Sequence, residues 1–203
     1  MNSPSKKVLI VSAHRPNRSP SQRFRYEQYI LSLEEDGYSF TYSFLISEND
    51  DKFFYKPGFY LKKAGVLLKS LMIRWKDVFR ANSFDIIFIQ REALMLGTSF
   101  FERLLAKKKA KLVFDFDDAI WFPNIEGGNK ALSFLKRPSK TKEIIEVADM
   151  IIAGNNYLAD YAKTYNENVT VIPTTIDLGY HHLIDTKPSK NICIGWTGSF
   201  STL

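Results

Sequence analysis

The chain is 203 residues long, 45% apolar and 14% aromatic, enough for one large packed domain or one domain and the start of another. Its single cysteine, Cys193, excludes an intramolecular disulfide and a cysteine-built metal cage and fits a reducing compartment; no run approaches the ~20 apolar residues that span a bilayer, and Val8 to Val11 is too short for a signal-peptide core. The net charge of +6 is lopsided: residues 1–83 carry 14 Lys/Arg against 8 Asp/Glu while the remainder is balanced, a pattern suited to an anionic partner such as phosphorylated substrate, membrane surface or nucleic acid.

Lys7 to Ser12 is a clean first strand. It runs into Ala13-His14-Arg15-Pro16-Asn17-Arg18-Ser19-Pro20, after which Ser21 is placed to cap a helix reaching about Glu35, where Asp36-Gly37 stops it. Tyr38 to Ile46 alternates as a second strand, and Ser47 to Pro57 reads as a charged, aromatic loop. Phe59 to Ala81 has a long helical pattern with Leu61, Leu68, Met72, Trp75 and Phe79 on one side. Phe84 to Gln90 is a third strand, Thr98 or Ser99 opens a helix to Lys109, and Lys111 to Phe114 is a fourth strand. Past Gly127-Gly128 a helix is expected over 140–147, a fifth strand over 148–153, and a helix over 157–165 capped by Asn155. A sixth strand spans 168–172, residues 178–189 show no periodicity, and Asn191 to Trp196 is a seventh strand. Such alternation predicts an α/β fold, a Rossmann-like doubly wound and mainly parallel sheet with helices on both faces.

The chemistry gathers around the fourth strand, which runs straight into Asp115-Phe116-Asp117-Asp118-Ala119-Ile120-Trp121-Phe122. Three carboxylates between aromatics are costly beside a core unless they are paired, hydrogen-bonded or used. In an open α/β sheet ligands sit beyond the carboxyl ends of the strands. That edge would also collect His14 with Arg15, Arg18, Arg23 and Arg25, then Arg91 and Glu92, Asn155, and Thr174, Thr175 and Asp177. Arginines there can grip phosphate or sugar-acid groups, or simply answer the carboxylates in structural ion pairs. Asp115-Phe116-Asp117 also fits a short Asp-x-Asp metal pattern, so a metal-dependent phosphate-handling domain is an alternative. A stand-alone flavodoxin-like binding or regulatory module is another. No Gly-x-Gly-x-x-Gly or P-loop is present, and no nucleic-acid reading module accompanies the charge. His181-His182 lacks a further ligand nearby and reads as an exposed pair. The basic helix over 59–81, with Lys62, Lys63, Lys69, Arg74, Lys76 and Arg80, either covers the sheet with its charges in water or lies on an anionic membrane.

Taken together, several strings resemble the N-terminal half of a GT-B-fold glycosyltransferase of the family 4 type. They are Ser21-Gln22-Arg23-Phe24-Arg25, Gln90-Arg91-Glu92-Ala93, Asp115 to Trp121, Ala148 to Asn155, Val171 to Asp177, and Ile194-Gly195-Trp196-Thr197-Gly198-Ser199. The resemblance implies an acceptor-binding domain over 1–178, a connector over 179–190, and the opening of a donor-binding domain over 191–203. It implies transfer of a sugar from a nucleotide-sugar co-substrate to a glycan or lipid-linked acceptor, with retention of configuration, no metal and no other cofactor. Asp117 and Asp118 become catalytic candidates. His14, Arg23, Arg25, Arg91, Glu92 and Asn155 become acceptor-side candidates, and Thr174, Gly198 and Ser199 lie at the donor edge. The family's Glu-x₇-Glu donor element has no counterpart in these residues, so the chain alone is expected to be inactive. A cytoplasmic location follows, with the helix over 59–81 as a candidate contact to the inner face of the cytoplasmic membrane.

Overall fold

The computed structural model describes residues 5–122, 137, 139–179 and 181–182. Gly127-Gly128, the strand expected over 191–196, Cys193, Gly198 and Ser199 lie outside the described residues. Six strands form one sheet: β1 (Lys6–His14), β2 (Tyr38–Ile46), β3 (Ile86–Gln90), β4 (Lys111–Phe116), β5 (Met150–Ala153) and β6 (Val169–Val171). Every pairing is parallel, in the order β2-β1-β3-β4-β5-β6. This is a Rossmann-like α/β fold.

Side-chain alternation along the strands builds two cores. Leu9 and Val11 of β1 and Ile87 and Ile89 of β3 face one side, where they meet Val66, Phe101, Leu105, Ile144 and Leu158. Those residues belong to α4 (Tyr60–Arg80), α5 (Phe100–Ala106), α6 (Lys140–Val147) and α7 (Asn156–Lys163). Val8 and Ile10 face the other side, with Tyr26, Ile30 and Phe88. That side is covered by α1 (Pro20–Arg25), a 3₁₀ turn over Glu27–Tyr29, and α2 (Ile30–Glu35). The single helix expected to reach Glu35 is thus broken. Tyr26 leaves helical geometry at φ −144°, and its buried ring meets Phe88 edge-on at 5.5 Å.

Three local differences from the sequence reading matter. The stretch 47–57 is not all loop, because Ser47 and Asp50 form a reciprocal cap that starts α3 (Glu48–Phe54). The fourth strand continues two residues further, so Asp115 lies inside the ladder, opposite Gln90 and Ile152.

The third concerns α4, which covers the sheet with the face opposite to its apolar stripe. Its buried positions are Lys63, Val66, Ser70, Arg74, Asp77 and Val78, while Leu61, Leu68, Met72 and Phe79 stand out in solvent. The polar underside is held by Asp77 on the same helix and by partners remote in sequence. The Arg74 guanidinium donates to Asp77 Oδ2 and Ser43 Oγ at 2.8 Å each, to the Ser12 carbonyl at 2.8 Å, and to the Ala93 carbonyl. A fully buried arginine is tolerable here because each of its faces is answered.

Candidate functional site

The strand order changes direction between β1 and β3: the chain moves from β1 outward to β2, then returns to β3 on the other side of β1. The crevice outside the carboxyl ends of such a pair is the usual ligand position of an open parallel sheet. Here it is bounded by His14 and Gln90-Arg91.

His14 is placed by its backbone and its ring separately. Gln22 of α1 closes the end of β1 like an extra ladder rung: its Oε1 accepts from His14 N at 3.2 Å and its Nε2 donates to the His14 carbonyl at 3.0 Å. The imidazole Nε2 shares a hydrogen bond of 2.5 Å with the Tyr55 hydroxyl, just past α3, and the two rings stack at 5.9 Å. Burial, then the cations Arg18, Arg91 and Arg15, hold the histidine below its usual pKa, with Asp51 opposing. The imidazole is therefore neutral at physiological pH. Burial pushes Tyr55 up to about 12, so its hydroxyl stays protonated.

Sequence reasoning missed this contribution of α3 entirely. Asp51 accepts from Arg15 Nη1 at 2.7 Å and from Arg18 Nη2 at 3.1 Å. Burial raises the Asp51 carboxyl, but the bonds and charges of Arg18 and Arg15 outweigh it and leave the pKa below the ordinary value. Arg15 and Arg18 are thus engaged in tying the loop after β1 to α3. The signal was present as Ser47-Glu48-Asn49-Asp50, a capping box beginning a helix too short to show periodicity.

The acidic run separates into three environments. Asp115 is 1% exposed and receives Arg25, whose Nε lies 3.1 and 3.3 Å from its two oxygens. Burial pushes this carboxyl up, to about 6, against the pull of Arg25. Arg25 also donates to the Ile172 carbonyl beyond β6, so its guanidinium is enclosed between α1, β4 and β6. Asp117 is mostly buried and accepts from Arg91 Nε at 3.1 Å, whereas Asp118 is 65% exposed and takes the other end of the same guanidinium. Arg91 itself adopts φ +64°, an uncommon state for a non-glycine residue that recurs at functional sites. Its amide donates to the Asp115 carbonyl at 2.8 Å, which fixes that turn against β4.

The turn bearing Asp117 and Asp118 is braced on both sides. Trp121 stacks flat on Tyr161 of α7, with centroids 3.8 Å apart and planes 9° from parallel. At the end of β5, a Cβ on Gly154 would come within 3.1 Å of Asp117 Cα, a tight approach that would press on the turn bearing Asp117 unless it shifted by a few tenths of an ångström.

The other candidates are spread along the edge. Glu92 accepts from the nearly buried Lys140 Nζ at 3.0 Å, and that ammonium also reaches the Leu94 and Leu96 carbonyls, pinning the loop after β3. Asn155 is exposed, but its side-chain oxygen is occupied as the N-cap of α7, accepting from Leu158 N at 2.9 Å. Thr174 is exposed in the segment after β6. Arg23 is exposed and lines an open cleft of about 570 Å³ with Asn17, Phe24, Glu27, Gln28, Asp177 and His181. The structure thus brings His14, Arg91, Asp117 and Asp118 to the crevice side, places Arg23 in the neighbouring cleft, and encloses Arg25.

Asp115 and Asp117 are taken by different guanidinium groups. Among the described residues, no group of three or more His, Cys, Asp or Glu side chains is arranged to hold a metal ion. Among the same residues, no helix is long and apolar enough to cross a membrane.

No protein-family model matches the chain, and no curated protein matches it. Among solved structures, the chain is similar to an alpha-glucosyltransferase in complex with UDP-glucose and DNA containing an abasic site. The likeness has 17% identity and a TM-score of 0.48, over 86% of this chain and 44% of that one. The chain thus spans less than half the length of that structure.

Proposed function

We propose that this chain is the acceptor-binding domain of a glycosyltransferase that moves a sugar from a nucleotide-sugar donor to a glycan or lipid-linked acceptor, with retention of configuration. The observation that carries the reading is Arg91. It stands in a left-handed turn at the point where the strand order reverses, it holds Asp117 and Asp118, and its charge helps to keep the imidazole of His14 neutral. A sugar presents hydroxyls, which need acceptors and donors in alternation. Asp117 and Asp118 accept from those hydroxyls, Arg91 donates to ring or carboxyl oxygens, and neutral His14 accepts at Nδ1 in the tautomer whose Nε2–H donates to Tyr55. Arg23 in the adjacent cleft extends the contact for a longer or anionic acceptor. Arg25, shut in with Asp115, acts by holding the edge together.

In this reading the donor's nucleotide is gripped by a second domain, with Thr174, Gly198 and Ser199 near the boundary. The deciding experiment is saturation-transfer NMR of the chain against a panel of oligosaccharides and soluble lipid-linked sugar analogues. Arg91→Ala should lower the affinity of any glycan bound at least tenfold, with circular dichroism checking that the variant folds; the exposed Arg91–Asp118 pair contributes only about 0–1 kcal/mol to stability. The chain alone should turn over no nucleotide sugar. Absence of glycan binding, or binding untouched by Arg91→Ala, would overturn the assignment in favour of a flavodoxin-like module of another kind.

A further inference from the structure

The outer surface of α4 is the most anomalous feature of the molecule. Leu61, Leu68, Met72 and Phe79 are 90%, 63%, 67% and 79% exposed, and Trp75 is 41% exposed. At 100° per residue these five side chains form one straight stripe, about 27 Å long at 1.5 Å per residue. Phe100, at the start of α5, widens it and meets Trp75 edge-on at 5.9 Å. Ordinary soluble surfaces scatter such residues singly; a continuous stripe marks a surface that another apolar phase covers.

One flank of the stripe is uniformly basic. Lys62, Lys69, Lys76 and Arg80 recur along it from end to end. The helix's single acidic residue, Asp77, is buried on the opposite side beneath Arg74. We propose that this face docks on an anionic lipid bilayer, with α4 lying in the plane of the interface. Trp75, Phe79 and the leucines enter the acyl boundary while the cationic flank meets the headgroups. Charge decides between occupants. A second copy packed through the same stripe would bring one row of cations toward another, and the carboxylates that meet the row, Asp50 and Asp77, are engaged by Lys69 and Arg80 of the same chain. A bilayer bearing negative headgroups answers the exposed cations of the row, Lys62 and Lys76 foremost. This surface is separate from the sugar-binding edge, so its test stands whether or not the glycosyltransferase reading holds.

The test is co-sedimentation of the 203-residue chain with vesicles, comparing phosphatidylcholine alone with a two-to-one mixture of phosphatidylcholine and phosphatidylglycerol. The chain should sediment with the mixed vesicles, stay in solution with the neutral ones, and release as salt rises. Leu68→Ser combined with Phe79→Ser should abolish sedimentation. Lys62→Glu combined with Lys76→Glu should weaken it by about tenfold or more, since each cation adds to the surface attraction. These residues are exposed, and circular dichroism of each variant checks that it stays folded. On the unaltered chain, brominated acyl chains should quench a component of tryptophan emission that Trp75→Phe removes. The proposal falls if the chain ignores anionic vesicles or if the Leu68→Ser/Phe79→Ser variant sediments like the parent. It also falls if the parent is a dimer in vesicle-free solution that this double variant dissociates, which would assign the stripe to a second copy.

Discussion

At the scale of single residues, the site is governed by where each charge finds its answer. Arg15, Arg18 and Arg25 looked interchangeable with Arg23 and Arg91 in sequence, since all follow a strand and all could meet an anion. The structure separates them by burial and partner. Asp51 occupies Arg15 and Arg18, Asp115 encloses Arg25, Arg23 is exposed, and Arg91 reaches two carboxylates from a strained turn. Those pairings join residues dozens of positions apart, so no local pattern could have revealed them. His14 offers the cleanest check. Its folded pKa lies below the ordinary 6.5 through burial and then through Arg18. The neutral form is therefore favoured by folding: this contribution to stability is full above about pH 6.5 and is lost as pH falls through the lower folded value. Arg18→Ala removes one cation and leaves Asp51 to Arg15 alone, and both changes favour the protonated ring. In a histidine NMR titration the His14 midpoint should move up toward 6.5, and the acid-side loss of stability linked to it should shrink. A midpoint that stays put would mean that burial alone sets it.

Among the elements, strands were the most legible and helix faces the least. Each strand from β1 to β6 announced itself through short apolar runs bounded by turn residues, and the carboxyl edge they share followed from alternation alone. The start of α7 was equally readable because Asn155 caps it locally. The helix α3 was not, being seven residues of mostly polar sequence whose only signature is its cap. Ser47→Ala should cost about 1 kcal/mol in urea unfolding. It should also slacken the Tyr55 contact to His14, visible as a shift of the Tyr55 ring signals, because α3 is what delivers that ring. The long helix α4 was found at nearly its full length, yet its outward face was not legible. Periodicity identifies a stripe, but only the distant groups around Arg74 determine which side is buried.

For the molecule as a whole, Arg25 is a long-range strap. It joins the helix after the first strand to β4 and to the end of β6, bridging 90 and 147 residues of sequence. Removing one partner of a buried ion pair strands the other, at about 3–5 kcal/mol. Arg25→Ala should therefore lower global stability by that order and speed amide hydrogen exchange at Val169 to Val171 ahead of the central strands. Uniform loss across the sheet would show that β6 is held by its neighbours instead. The buried Arg74 acts differently, as a key fixes a wheel on its shaft. Its guanidinium grips carbonyls at Ser12 and Ala93, each two residues from His14 and Arg91, and is anchored through Ser43 as well. The rotational phase of α4 is thereby locked: the helix cannot roll its oily side inward without tearing a cation from its sockets. Nor can it turn under load from outside without dragging both lips of the crevice with it.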